Sequence, residues 1–215
     1  MAYPSNDEYQ EFYAAIGRGI VIWAEIENKL SLVYSYLVFD TSQAAQDSFY
    51  SVSTFHAKLN LVDAASRSGF IRMENMGPVL GRLKAWNNLK NRLSSLSKDR
   101  NRLAHHRVIL YGTPKGAKQS NVVDLSDINY ELRLCRPHIP TIRPSKEGIE
   151  EFTKKVNETF SLPEIREHIK KINNILEELI RFSDPLFDEL GEAKLKRTTE
   201  IFKQISGSHN PDASK

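Results

Sequence analysis

Apolar residues recur at steps of three and four from Phe12 through Ile16, Ile20, Trp23, Ile26, Leu30 and Val33 to Leu37. This spacing draws one apolar face along a single long α-helix. A face that long has to be covered by other elements, so the stripe commits the chain to a helical, layered fold. Ser5 and Glu8 have capping-box spacing, in which each side chain satisfies an N–H at the helix start, and they place that start near Ser5. Gly17 and Gly19 lower helix propensity and allow close approach of another backbone. Glu25 and Glu27 flank the stripe as solvated groups or as partners for a basic residue in a site. The longest apolar stretch, about Ile20 to Phe39, is interrupted by Glu25, Glu27, Asn28 and Lys29. It falls short of the roughly 18–20 uninterrupted apolar residues of a membrane span.

The same periodicity continues downstream. Asp40, Thr41 and Ser42 end the first helix and open a second, expected over about 42–68, with Phe49, Val52, Phe55, Leu59 and Val62 inward and Gly69 at its end. His56 lies beside that stripe as a packing or surface histidine. Pro78 suits the first turn of a third helix with the stripe Val79, Leu83, Trp86, Leu89, Leu93 and Leu96. The next step of four lands on Arg100, and the next of three on Leu103. A guanidinium in the middle of an apolar face is costly unless it is satisfied. Arg100 therefore pairs with a carboxylate, snorkels to water, or lines a polar pocket or subunit seam.

After Arg107 the period shortens. Val108–Tyr111, Val122–Leu125 and Tyr130–Leu134 read as short strands around the breaker-rich loop Gly112–Asn121. The glycines of that loop fit neither a Walker loop nor a dinucleotide fingerprint. A small hairpin or three-stranded meander, inserted at 107–135 on a helical body, is expected. Ser145 can cap a helix over about 146–160. Ser161 and Glu164 form a second capping box, opening a helix to about Phe182, and Asp184-Pro185 reads as the start of a last helix to about Ile205. The expected organisation is a helical domain over 1–182, a C-terminal helix over 183–206 and a disordered tail over 207–215.

A 215-residue chain with 40% hydrophobic and 27% charged residues has the composition of a folded domain rather than a disordered chain. The polar, acidic N-terminal residues show no secretory signal, and the single Cys135 forms no internal disulfide, so a cytoplasmic protein with no membrane association is expected. Net charge is only +3, but residues 82–107 carry eight basic side chains against Asp99, a local charge of +7. Residues 147–192 carry twelve acidic and six basic side chains, a local charge of −6. The basic segment is the footprint of a phosphate-bearing partner, or a solvated helix face. Lys84, Lys90, Arg92, Lys98, Arg102 and Arg107 are its candidate RNA contacts.

Within that segment lies Lys98-Asp99-Arg100-Asn101-Arg102-Leu103-Ala104-His105-His106-Arg107. The adjacent histidines lack the H-x-x-x-H and H-E-x-x-H spacings of zinc sites. The segment resembles the motif of the HEPN superfamily: Arg, four to six residues, then His, with Asn often directly after the Arg. Arg100-Asn101 with His105 fits with four intervening residues, and with His106 it fits with five. The motif's place also matches, late in a long helix of a mainly helical chain and before a strand-like segment. The resemblance covers about residues 5–182; a strand insertion is not shared by every member. It implies an up-and-down bundle of four or five helices and a homodimer whose two motifs face each other. It further implies a metal-independent ribonuclease without cofactor, as in toxin–antitoxin and antiphage systems, with an antitoxin protein as a further partner. Other members are inactive modules that bind RNA or a nucleotide, or that dimerise. By the resemblance Arg100 and His105 are the catalytic pair and Asn101 the polar helper, with His106 as the alternative to His105.

These residue types suit RNA cleavage. RNA carries its own nucleophile, the 2′-hydroxyl. Imidazole titrates near 6.5 and moves protons at neutral pH. Guanidinium stays charged and can hold phosphate oxygens as negative charge grows, giving a 2′,3′-cyclic phosphate and a 5′-hydroxyl. On a regular helix, however, Arg100 and His105 are roughly 140° apart, while Asn101 and His105 share a face. Either a distorted helix end or a two-fold axis would assemble the site, and the second, a composite basic cleft in an isologous homodimer, is expected. The alternatives are a silent module that binds RNA, a nucleotide or a protein, and a structural dimer in which Arg100 makes an interchain ion pair.

Overall fold

The N-terminal helix, α1 (Asn6–Leu37), starts where the capping box places it. The backbone N–H of Ser5 donates to Glu8 Oε2 at 2.7 Å, and that of Glu8 to Ser5 Oγ at 3.3 Å. The chain, in a computed structural model, is described over residues 3–40, 42–72, 79–114, 128–136 and 159–207. After α1 come α2 (Gln43–Tyr50), α3 (Phe55–Arg72), α4 (Val79–His105), the strands β1 (Arg107–Pro114) and β2 (Ile128–Cys135), and α5 (Leu162–Gly207). The fold is mainly helical with an antiparallel strand pair following the third predicted helix, as the periodicity predicts. Among the described residues, no helix is long and apolar enough to cross a membrane.

Two compact units divide the chain. One comprises the described residues of Met1–Ile26 and Arg92–Leu176, the other those of Glu27–Asn91 and Glu177–Lys215. The first unit buries Phe12, Trp23 and Ile26 of α1, Leu93 and Leu103 of α4, Leu132 and Leu134 of β2, and Ile165 and Ile172 of α5. The second buries Leu30 and Leu37 of α1, Phe49, Leu59, Val62 and Phe70, Trp86 of α4, and Leu179 and Leu186 of α5. Burial of each large apolar side chain contributes about 1.5–3 kcal/mol before ordering costs.

The inward face of α1 differs from the predicted stripe in one turn. Ala15 and Gly19 are buried, while Ile20 is 43% exposed. The steps from Phe12 through Ala15, Gly19 and Trp23 keep the three–four rhythm, and small residues there admit neighbours closely. A Cβ on Gly19 would lie 2.8 Å from Leu103 Cδ1, whereas one on Gly17 would meet nothing within 4 Å. The approach thus occurs at Gly19 alone of the two, and it is made by side chains rather than by backbone.

The predicted second helix is two helices. Ser51 Oγ bonds back to Ser48 O at 2.8 Å, and Thr54 caps α3 through the Ala57 N–H at 3.2 Å. Hydroxyl side chains that satisfy the backbone locally compete with helix continuation, and Ser51 and Thr54 do so here. Gly69 is no helix end: α3 runs on to Arg72, and a Cβ at Gly69 would lie 2.9 Å from Leu37 Cδ2 and 3.0 Å from its carbonyl oxygen. The end of α1 is a Schellman turn. Asp40 N–H reaches Ser35 O and Phe39 N–H reaches Tyr36 O, both at 3.0 Å, with Phe39 at φ 61°. This left-handed conformation costs a non-glycine residue about 1–2 kcal/mol. The Arg72 guanidinium lies 4.7 Å from the Phe39 ring centroid and helps to hold it.

The second unit is tied by Asp63, which is buried on α3. It accepts from Trp86 Nε1 at 3.0 Å, Lys90 Nζ at 2.9 Å and Arg67 Nη2 at 2.8 Å. Burial pushes its carboxyl up, but the hydrogen bonds from Lys90 and Trp86, with the charges of Lys90 and Arg67, hold it below the ordinary carboxylate value. In the same unit α5 continues through Pro185, where a new helix was expected. An interior proline costs about 3 kcal/mol. The helix is retained by packing on both sides: Leu186 is buried, Phe187 packs on Tyr36 with ring centroids 4.5 Å apart, and Asp184 pairs with Lys29 at 3.4 Å.

In the first unit β1 and β2 pair from Arg107↔Cys135 to Pro114↔Ile128. Leu132 and Leu134, on one face of β2, are buried. Leu134 also exchanges backbone hydrogen bonds with Phe160, at 2.8 and 3.0 Å, just before α5. There Ser161 and Glu164 form half of the predicted box: the Ser161 N–H donates to Glu164 Oε2 at 2.7 Å, and the Ser161 hydroxyl donates to the same oxygen at 2.6 Å instead of accepting from the Glu164 N–H. The hydrogen bonds from the Ser161 hydroxyl and N–H hold Glu164 below its ordinary value. The expected strand over 122–125, the expected helix over 146–158 and most of the tail over 207–215 lie outside the described residues, while Phe160, expected at that helix's end, is instead drawn into a bridge with Leu134.

Two substitutions test this packing. Gly17→Ala should raise stability by about 1 kcal/mol through helix propensity, whereas Gly69→Ala should lower it through overpacking of about 1–3 kcal/mol, both read by denaturant unfolding. Asp63→Ala should cost about 1–3 kcal/mol by leaving the buried Trp86 Nε1 and the half-buried Lys90 ammonium without their acceptor. Because the Asp63 carboxyl is held low, its contribution is present above its unfolded value and is lost as pH falls through its folded value.

Candidate functional site

The end of α4 carries the motif, and α4 remains a regular α-helix up to His105. The next backbone N–H, that of His106, still donates to Arg102 O at 3.0 Å. The helix end is therefore not distorted, and in one chain Arg100 and His105 keep their separation of roughly 140° around the axis. Arg100 is partly buried. Its Nη1 donates to Asn101 Oδ1 at 3.1 Å, and its guanidinium lies 5.9 Å from the Trp23 ring centroid. The charge thus rests on an aromatic ring of α1 at the edge of the apolar face. Asn101 and His105 are exposed, and His106, just past the helix, is half-buried.

The other basic residues divide by role. Arg92, Lys98 and Arg107 in the first unit and Lys84 in the second are exposed. Lys90 is drawn inward by Asp63. Arg102 bonds to Asp99 at 3.3 Å and lies 5.2 Å from the Phe160 ring centroid. These two cations hold structure together, which charge counting along the sequence does not reveal. Cys135 is a buried free thiol; burial raises its pKa, against the lowering effects of Arg107 and Arg136, so it is a poor nucleophile.

Sequence reasoning missed His168. It lies on α5 at 5% exposure, with Nδ1 3.6 Å from Asp99 Oδ2 and its ring stacked on Phe160 at 6.5 Å. Its Nε2 is buried and has no hydrogen-bond partner among the described residues. Burial is the main cause of its lowered pKa; Asp99 acts in the opposite direction, while Lys171 and Arg102 add to the lowering. The signal was available: His168 falls between Ile165 and Ile172 at helical spacing, a polar side chain in an apolar stripe, as Arg100 is in α4. Asp99, Arg102, Phe160 and His168 thus lock the motif-bearing end of α4 to the start of α5.

Among the described residues, no three His, Cys, Asp or Glu side chains converge to hold a metal ion. What the arrangement offers is a fixed guanidinium, an exposed carboxamide and an exposed imidazole on one helix end, next to exposed cations. No protein-family model, curated protein or solved structure matches the chain.

The sign of the His168 effect is testable. Between its ordinary value near 6.5 and its lowered folded value, the unfolded chain binds a proton that the folded chain does not. Stability should therefore fall as pH drops from 7.5 to 5, by at most about 1.4 kcal/mol per pH unit for this group. His168→Gln should flatten that part of the profile in unfolding titrations.

Proposed function

We propose that the protein is a metal-independent endoribonuclease of the HEPN type whose site is completed across a homodimer. The observation that carries the reading is the end of α4: Arg100 held by Asn101 and Trp23, with the exposed His105 five residues on. Because α4 is regular, Arg100 of one protomer acts with His105 of its partner, and the two-fold axis generates two such pairs. An exposed apolar strip on α1, with Tyr13 56%, Ile20 43% and Val21 61% exposed, offers a surface of the kind a second copy covers.

In this reading the 2′-hydroxyl attacks the adjacent phosphorus while the bond to the 5′-oxygen breaks. The imidazole of His105 shuttles the proton, as general base for the hydroxyl or general acid for the leaving oxygen. The Arg100 guanidinium carries the charge that grows on the non-bridging oxygens. Asn101, whose carboxamide oxygen accepts from Arg100, fixes the guanidinium plane and has its NH2 available to phosphate. His106 is the alternative imidazole. A toxin or antiphage role with a cognate antitoxin, in the cytoplasm, belongs to the same proposal.

One observation favours a second reading. A single chain presents Arg100 and His105 on different faces, as suits an inactive module that binds RNA or dimerises without cutting it.

Labelled RNA incubated with the protein in EDTA should be cleaved to products ending in 2′,3′-cyclic phosphate. Arg100→Ala and His105→Ala should each lower the rate by about 10²–10⁴-fold with the fold retained by circular dichroism. Cleavage by both variants at the wild-type rate would refute the assignment; saturable binding without scission would establish the second reading.

A further inference from the structure

Within the first unit, α4 and α5 run antiparallel along a polar seam. Asp99 faces His168, and one to two turns earlier on α4 a cleft of about 250 Å3 opens between Arg92, Ser95 and Leu96 of α4 and Lys171 and Asn174 of α5. We propose that this cleft binds a backbone phosphate of the RNA strand, an inference that rests on the ribonucleic acid reading above.

The lining is suited to that group. It combines a guanidinium, an ammonium, a carboxamide and a hydroxyl over the apolar floor of Leu96, and it contains no carboxylate. On α4 the nearest acid, Asp99, is already engaged by Arg102 and His168. Lys171 is exposed, and its charge reaches His168 one turn away. Arg92, Ser95, Lys171 and Asn174 are exposed, so the cleft is open to a strand passing over it. The lining has no aromatic ring on which a base would stack, which assigns the phosphodiester rather than the base. Its volume is also below the roughly 300–1,000 Å3 of sites that enclose drug-sized ligands, as fits one small anionic group. Arginine's planar fork matches two phosphate oxygens, with the lysine as a point charge beside it. Arg92 lies eight residues before Arg100, about 12 Å along the helix axis, so a phosphate held here anchors the strand a short distance from the cleavage site. Charge counting along the sequence singled out Arg92; Lys171 and Asn174 lie in the acidic segment 147–192 and were hidden by it.

The test uses a fluorescein-labelled 2′-O-methyl oligoribonucleotide, which has no free 2′-hydroxyl and so reports binding apart from cleavage. Its affinity for the full chain is measured by anisotropy across a salt series. Lys171→Gln and Arg92→Gln should each weaken binding about tenfold and lower the log–log salt slope by about 0.7, with thermal unfolding unchanged in Lys171→Gln. Lys171→Glu should weaken it further, and Asn174→Ala should weaken it without changing the slope. Wild-type affinity and slope in Lys171→Glu would overturn the proposal. So would failure of the wild-type protein to bind the oligonucleotide, or binding of AMP in the cleft without the oligonucleotide. Binding through the cleft by a protein that leaves ordinary RNA intact would refute cleavage and uphold this site; cleavage with unaltered binding in Lys171→Gln would do the reverse.

Discussion

The regularity of α4 fixes where each of its side chains falls. A helix turns about 100° per residue, and α4 keeps that geometry from Val79 to His105. It places Trp86, Leu89, Leu93 and Leu103 in apolar interiors and, in the same rhythm, brings Arg100 to the edge of that face. The guanidinium is tolerated there because the Trp23 ring and the Asn101 carboxamide receive it. The same rhythm carries His105 away from it. One geometric rule thus yields a well-packed helix and sets Arg100 and His105 on different faces of it.

The end of α4 is fixed independently of that pair. Arg102 and His168 both engage Asp99, and both lie against Phe160, which is bonded to β2 through Leu134. Helix, strand and the start of α5 are therefore fastened at one point. Arg100, one residue from Asp99, is held in place by this support, because an arginine on a helix end that frays loses its aim. The buried imidazole of His168 is kept neutral mainly by its burial, so this fastening is a packed contact more than an ion pair.

Features set by local chemistry could be read from the sequence. The capping box of Ser5 with Glu8 forms in full and that of Ser161 with Glu164 forms through the carboxylate, since each needs only its own turn of helix. The strand pair after Arg107 was readable for the same reason. Features that depend on distant partners were not. Pro185 looks like a helix start until Tyr36, Lys29 and Leu186 are seen to hold α5 together around it. Lys90 looks like a surface cation until Asp63 appears beside it. His168 needed Asp99 and Phe160, sixty-nine and eight residues away, to become visible as part of the motif's support. The Ser51–Thr54 break was local and readable, but the apolar spacing on either side concealed it.

If Arg100 of one protomer works with His105 of its partner, mixing two mutant subunits restores cleavage that neither has alone. Arg100→Ala and His105→Ala proteins, each inactive alone, are combined under conditions that allow exchange. A mixed dimer then has one site with both mutations and one with neither, so the mixture should recover roughly a quarter of wild-type RNA cleavage if exchange is random. A mixture as inactive as its two components, with exchange confirmed and the wild-type protein active, would contradict the account.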